Sequence, residues 1–419
     1  MNCIPRMMIC LVVCAACGAT TSEPVAAEDP SNYRIDYVLR LNPLDGTASV
    51  DLRVAQSSAL LRELSFRRPD TMDGIDGDGE VHVDGDDVRW LPPPDGGTLS
   101  WNVEVRHRRN GNGYDAWLDA DWGLFRAEDV IPRARTRTLK GTQSETWLQF
   151  EMPQGWSVVT QYFGQDRRFR VDNPERRFDQ PSGWIVTGEL GVRRETIAGT
   201  KVAVAGPVGH SIRRLDVLAL LNWTLPELER LLPELPPRLT IVSAGDPMWR
   251  GGLSAPMSLY MHSERPLISE NATSTLLHEV LHIALGLSAS RGYDWIVEGL
   301  AEYYSLALLE RSGSISDERY ALARSDLEEW SRDAESLCVP VSTGATTARA
   351  VMVLIALDKE LRNATGGEAS LDDVTRQLVS AGSKVSLESL TRAAESIAGR
   401  KPDALRIESL PGCRTIASL

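Results

Sequence analysis

The sequence predicts an α+β protein, with an antiparallel β unit in front and a mainly helical unit behind. Three observations carry this. From Tyr33 to about Ala205, short alternating apolar and polar segments are separated by turn-formers such as NPLDG, PPPDGG and RNGNG. Beyond Gly206 the apolar period lengthens to that of helices. A chain of 419 residues also exceeds one ordinary domain. The pattern divides the chain into a leader over 1–27, a β-sandwich-like unit over 31–205 and a helical unit over 206–419.

The leader reads as an export signal. Arg6 and the free amine give a positive start, and Met7 to Ala16 form an apolar run too short to span a bilayer. Two cleavage sites stay open. CAAC resembles a bacterial lipobox ending at Cys17, whose thiol would carry lipid and form the chain's one link to a membrane; the other site follows Val25-Ala26-Ala27. Either places the mature chain in a bacterial periplasm or on an outer membrane. Cys3, Cys10, Cys14 and Cys17 lie in this leader, which leaves Cys338 and Cys413 as one disulfide or two buried thiols.

The β unit is built from YRIDYVLRL, TASVDLRVA, VHVDGDDVRWL, LSWNVEVRHR, TWLQFEM and GWIVTGEL. Trp101, Trp147, Trp156 and Trp184 are expected in its core. A net charge of −13 and a pI near 5.1 exclude a nucleic-acid surface, which needs concentrated positive charge. In the second unit, LDVLALLNWTLPELERLLPEL predicts a helix, and RLTIVSAG and PMSLYMH predict strands. Helices then follow at 274–286, 294–311, 317–334, 347–363, 371–381 and 386–398. Ser370 and Ser386 act as caps and TGGE as a stop.

Chemistry concentrates in HEVLHIALGLSASRGYDWIVEGLAEYY, from His278 to Tyr304. His278 and His282, four apart on a helix, project from one face and can converge on one zinc ion. Glu279 points about 100° away, where a carboxylate can take a proton from water without binding the ion. A lone histidine on such a helix is ordinarily a hydrogen-bonded core residue; here a second helix follows and brings an acid. Gly286 and SASRG let the chain reverse, and Asp294 is placed to cap that helix. Glu298, among Ile296, Val297 and Leu300, is expected to be the third ligand rather than an ordinary surface glutamate, because a dication relieves the cost of burying its carboxylate. Glu302, one turn on, is either placed to accept the outer ring N–H of His278 or His282 or is a solvated glutamate.

HEVLH followed by WIVEGLAEYY resembles the gluzincin zinc peptidases, and most of all the glycyl aminopeptidase family, with aminopeptidase N more distant. The resemblance extends to DWGLFRAEDVIP, MPQGWSVVT, SGWIVTGELG and ALDKELRNATGGEASLDDV. It implies a thermolysin-like catalytic unit holding one Zn2+ per chain, with His278, His282 and Glu298 as ligands and Glu279 as general base. A peptide or protein is the implied substrate. Two positions depart from the family. Ser254, in GGLSAPMSLYMH, stands where a glutamate would hold the substrate's amino terminus; Thr347 stands where a tyrosine would stabilise the oxyanion. Arg349, two residues on, is the expected substitute for that phenol. Gly251, Gly252 and Ser254 are expected on an edge strand that takes an extended peptide. His262 is expected to be structural or to line the substrate rather than to serve as a fourth ligand. The rival expectation is an envelope protein that keeps the zinc and holds peptides without cutting them.

Overall fold

The computed structural model describes residues 31–109, 113–173 and 178–413; the expected leader, including both cleavage sites and Cys17, lies outside them. Strands β1 (Asn32–Asn42), β2 (Thr47–Ala55), β3 (Leu61–Arg67), β4 (Met72–Gly77), β5 (Glu80–Asp84) and β6 (Asp87–Leu91) come first. They are followed by β7 (Gly96–Glu104), β8 (His107–Arg108), β9 (Tyr114–Leu118), β10 (Trp122–Arg126), the short helix α1 (Ala127–Val130), β11 (Ala134–Thr138) and β12 (Gln143–Glu151). Strands β13 (Ser157–Val159), β14 (Gly164–Gln165), β15 (Arg168–Val171) and β16 (Trp184–Gly188) complete the first unit.

These strands form three sheets, ordered β14-β15-β12-β1-β2-β7-β4, β13-β16-β10-β9-β8 and β11-β3-β6-β5. Pairing is antiparallel throughout except between β1 and β12, which run parallel with Ile35 opposite Thr146. Period-two alternation sends Ile35, Tyr37, Leu39, Val50, Leu52 and Trp101 inward against Leu64, Phe66 and Trp90 of the facing sheet. Trp101 and Trp184 are buried as expected. Trp147 and Trp156 are not fully buried. Thr146, Leu148 and Phe150 take the inward phase of β12, so Trp147 faces out and packs under the Arg168 guanidinium at 4.1 Å.

The second unit opens with β17 (Leu190–Ile197) and β18 (Thr200–Pro207), then α2 (Arg214–Leu231), β19 (Arg238–Ala244), β20 (Gly252–Ala255) and β21 (Ser258–His262). Its sheet runs β17-β18-β19-β21-β20. The change of sheet therefore falls near residue 189, not at the expected 205. The hairpin β17–β18 alternates like the strands before it, so only its pairing partner reveals where it belongs. Helices α3 (Thr275–Leu285), α4 (Asp294–Arg311), α5 (Asp317–Trp330), α6 (Ala345–Thr365), α7 (Leu371–Ala381) and α8 (Leu387–Ala398) follow. The expected final turn of α5 tightens into a 3-10 turn at Ser331–Asp333. Ser370 and Ser386 do cap α7 and α8, and Gly366 ends α6 with φ of 65°.

The two units share a third apolar cluster, in which Trp122, Leu124, Trp184 and Val186 meet Ala205, Val242, Met248 and Tyr260. Trp184 seals this joint: its backbone N–H donates to Ser258 Oγ at 2.8 Å and its indole N–H to Leu253 O at 2.9 Å. The first unit thus grips β20 and β21 directly. Cys338 and Cys413 form a disulfide that ties the end of the described chain to the loop before α6. Among the described residues no helix is long and apolar enough to cross a membrane.

Candidate metal centre

Helix α3 starts at Ser274, whose hydroxyl accepts from Leu277 N, and ends at Gly286 in the left-handed region with φ of 59°. Leu276, Leu277, Val280 and Leu281 bury one side of it in the core. The reversal brings back α4, whose first turns are almost wholly buried from Trp295 to Ala301. Asp294 does not cap α4 as expected. The cap position is Tyr293, without a side-chain bond, and Asp294 instead accepts from Ser342 N at 2.7 Å. It thereby fixes the loop ahead of α6 to the start of α4.

The three expected ligands meet. His278 Nε2 and His282 Nε2 are 3.1 Å apart; Glu298 Oε2 lies 3.3 Å from the first and Oε1 3.4 Å from the second. Ligand atoms at 2.0–2.1 Å on the corners of a tetrahedron are about 3.3 Å apart, so the donor set fits zinc. Among the described residues this is the one cluster of three or more His, Cys, Asp or Glu side chains with metal-binding spacing. Glu302 resolves the choice left open by sequence: its Oε2 accepts from His278 Nδ1 at 2.9 Å. That bond holds the ring so that Nε2 faces the metal position.

Electrostatics match the geometry. Burial, the largest influence on His278, lowers its pKa, but hydrogen bonds to Glu298 and Glu302 outweigh it and lift the value to about 10. Burial likewise raises Glu298, and bonds to His278 and His282 overcome it, bringing the carboxyl down to about 2. Without metal, the site is a chain of charge-assisted hydrogen bonds.

Glu279 is buried, at 9% exposure, and joins none of these contacts among the ligands. It lies against β20: a Cβ built on Gly252 would stand 2.5 Å from Thr275 Cγ2, 3.0 Å from Glu279 Cγ and 3.3 Å from Glu279 Oε1. Only glycine lets the edge strand come this close to the helix. In the β20–β21 register Gly252 faces Met261, and Gly251 O accepts from His262 N at 2.9 Å. The alternation of an antiparallel pair then turns the main-chain groups of Gly252 and Ser254 to the open edge. Gly251 is not open to a ligand, because the Trp249 indole covers it. His262 is fully buried in β21, with burial chiefly lowering its pKa, and stands apart from the metal cluster.

A cleft of about 500 Å³ opens beside the triad. His278, Glu298 and Glu302 line it together with Trp249, Arg265 and Thr275, with Asp326 and Trp330 of α5, and with Ser342, Gly344 and Thr347. Arg265, Asp326 and Trp330 carried no signal in the sequence, since none belongs to a motif. Thr347 faces the cleft. Arg349 does not line the cleft: two residues on along α6 it is turned about 200° from Thr347, and its Nε is buried without a partner. Helix α6 can pack this close because a Cβ on Gly299 would come within 2.7 Å of Ala350 Cβ. A larger cavity of about 740 Å³, bounded by Tyr162, Phe163, Lys201 and Arg238, shares no residue with the cleft and has no histidine or cysteine in its walls.

No family model matches the chain, and no curated protein matches it in sequence. Solved structures do match in shape. An aminopeptidase N family protein from Idiomarina loihiensis aligns with a TM-score of 0.62 at 18% identity, over 84% of this chain and 71% of that one. An M1 zinc metallopeptidase from Deinococcus radiodurans gives 0.59 at 14% identity, over 91% and 93%. A mutant M1 zinc metallopeptidase from the same organism, bound to a Tyr-Ser-Ala substrate, gives 0.59 at 14% identity, over 91% and 94%. This chain, a β-rich unit followed by a helical one, has the fold of the aminopeptidase N and M1 zinc metallopeptidase structures.

Proposed function

We propose that this protein is an exported zinc peptidase whose second unit is a thermolysin-like catalytic unit. The observation that carries the reading is the triad of His278, His282 and Glu298 at tetrahedral spacing, with Glu279 held apart between it and the edge strand. Zinc held there supplies a Lewis acid and lowers the pKa of water to about 7. Glu279 takes the proton from the attacking water and passes it to the leaving amine. Glu302 keeps His278 in the tautomer that binds metal. The open edge of β20 at Gly252 and Ser254 takes an extended peptide by main-chain hydrogen bonds. The shape of the M1 metallopeptidases supports this reading, and the Cys338–Cys413 disulfide supports an oxidising compartment such as the periplasm or the outer-membrane surface.

The expected result for Glu279→Gln is one zinc per chain with hydrolysis of a peptide library abolished. Activity equal to the wild type would overturn the mechanism. A second reading, a zinc-bearing protein that holds peptides uncut, is favoured by Thr347 and Ser254, neither of which supplies the group expected there. Cleavage by the zinc-loaded protein that stops on chelation excludes it.

A further inference from the structure

Among the charged side chains of the cleft, His278, Glu298 and Glu302 are committed to the metal assembly, which leaves Arg265 and Asp326. Arg265 follows β21 in the turn before α3 and is exposed. Its Nη2 donates to Thr275 Oγ1 at 3.0 Å, and among the described residues it pairs with no carboxylate. In a chain of net charge −13 such an unpaired guanidinium in a cleft is a site for an anionic group. Thr275 fixes where it stands: it is the first residue of α3, it touches Gly252, and it precedes His278 and Glu279 by one helical turn, about 5 Å along the axis. A terminal carboxylate on Arg265 therefore lies on the leaving-group side of the scissile bond, within the cleft that the triad lines.

We propose that Arg265 is the specificity-determining residue of this site, binding the C-terminal carboxylate of short peptides on the leaving-group side; this rests on the peptidase reading above. A peptide on the open edge of β20 with its carboxylate at Arg265 runs antiparallel to the strand. Its amino end then points toward Ser254, whose neutral hydroxyl offers no charge to an ammonium group. Recognition thus passes from the amino terminus to the carboxyl terminus, and Trp249, against the same end of the strand, bounds the side chain next to that carboxylate.

The test uses the zinc-loaded protein and one tripeptide in three forms: free, N-acetylated and C-amidated. Amidation is expected to lower kcat/KM at least about tenfold and acetylation less than about threefold. Arg265→Gln should lower the free acid to the level of the amide and leave the amide unchanged, and Arg265→Lys should recover part of the loss. Equal cleavage of acid and amide, or an equal loss on both in Arg265→Gln, overturns the proposal. If no form is cleaved, the peptidase reading fails separately. Calorimetric binding of acid and amide to the zinc-loaded Glu279→Gln protein then decides: a preference for the acid that Arg265→Gln removes upholds Arg265, and equal affinity overturns it.

Discussion

Two carboxyls in this chain are held near a pKa of 2, by opposite means. Asp51, on the outer face of the seven-stranded sheet, is lowered first by its bond to Arg40, against a desolvation that raises it, and then by Arg53 and Ser100. For Glu298 desolvation is the largest influence, and two histidines must outweigh it. The partners make the difference. An arginine stays charged at every accessible pH, so the Asp51 cluster is permanently neutralised and has nothing to exchange. A histidine can surrender its proton and turn a donor into a lone pair. The same lowered acidity marks a staple between strands in one region and a metal seat in the other.

That contrast is broken most severely by removing an imidazole. His282→Ala should abolish zinc binding and hydrolysis together, read as metal per chain by elemental analysis, whereas Arg40→Ala should leave both intact. Retention of stoichiometric zinc in His282→Ala would remove the triad from the argument. The next largest effect should be a gain. Thr347 faces the cleft and Arg349 does not line it, so on the proposed mechanism Thr347→Tyr should raise kcat by about 10²–10³, the usual worth of one oxyanion donor. Thr347→Ala should change kcat little; a large loss would make the threonine hydroxyl itself a donor. A smaller effect concerns the wall that carries Thr347. The disulfide spans 75 residues, and the loop-entropy relation gives its closure about 4 kcal/mol. Replacing both cysteines by serine should lower unfolding stability by about that amount while zinc content stays at one per chain. Unchanged stability would mean that the wall is held by packing alone.

How far the sequence could be read follows from the range of the signals. His278, His282 and Glu298 were legible because i,i+4 spacing on an apolar helix fixes their direction, and Glu298 sits in an apolar helix of its own. Helix ends marked by Ser370, Ser386 and the glycine after Thr365 were legible for the same local reason. Asp294 was misread, since a carboxylate at a helix start bonds whichever amide comes nearest, and that proved to be Ser342 from a distant loop. The boundary at 205 was misread because the choice of sheet for β17 and β18 depends on a long-range pairing with β19. Arg349 was misplaced because resemblance gives a position along a helix, while the side it faces depends on the whole packing of α6 against Gly299. Arg265 was not legible at all: nothing local distinguishes it from an exposed arginine, and its meaning comes from Thr275 and Gly252 meeting beside it.

The most delicate way to sharpen the contrast is pH. Both carboxyls are depressed, so each contributes stability that is present above its usual pKa, 3.8 for Asp51 and 4.5 for Glu298, and is lost as pH falls through about 2. The alkaline side separates them. In the metal-free protein His278 is raised from 6.5 to about 10, so its contribution is complete below pH 6.5 and is lost as pH rises through about 10. Arg40 loses nothing over that interval. Metal-free protein should therefore weaken steadily between pH 6.5 and 10 in urea titrations, and His278→Gln should remove this slope while Asp51→Asn leaves it. Zinc requires an unprotonated Nε2 on His278, so loading at pH 7 should release about one proton per ion. A flat alkaline limb together with no proton release would show that the imidazoles are already neutral, and the distinction between exchangeable and permanent partners would fall with it.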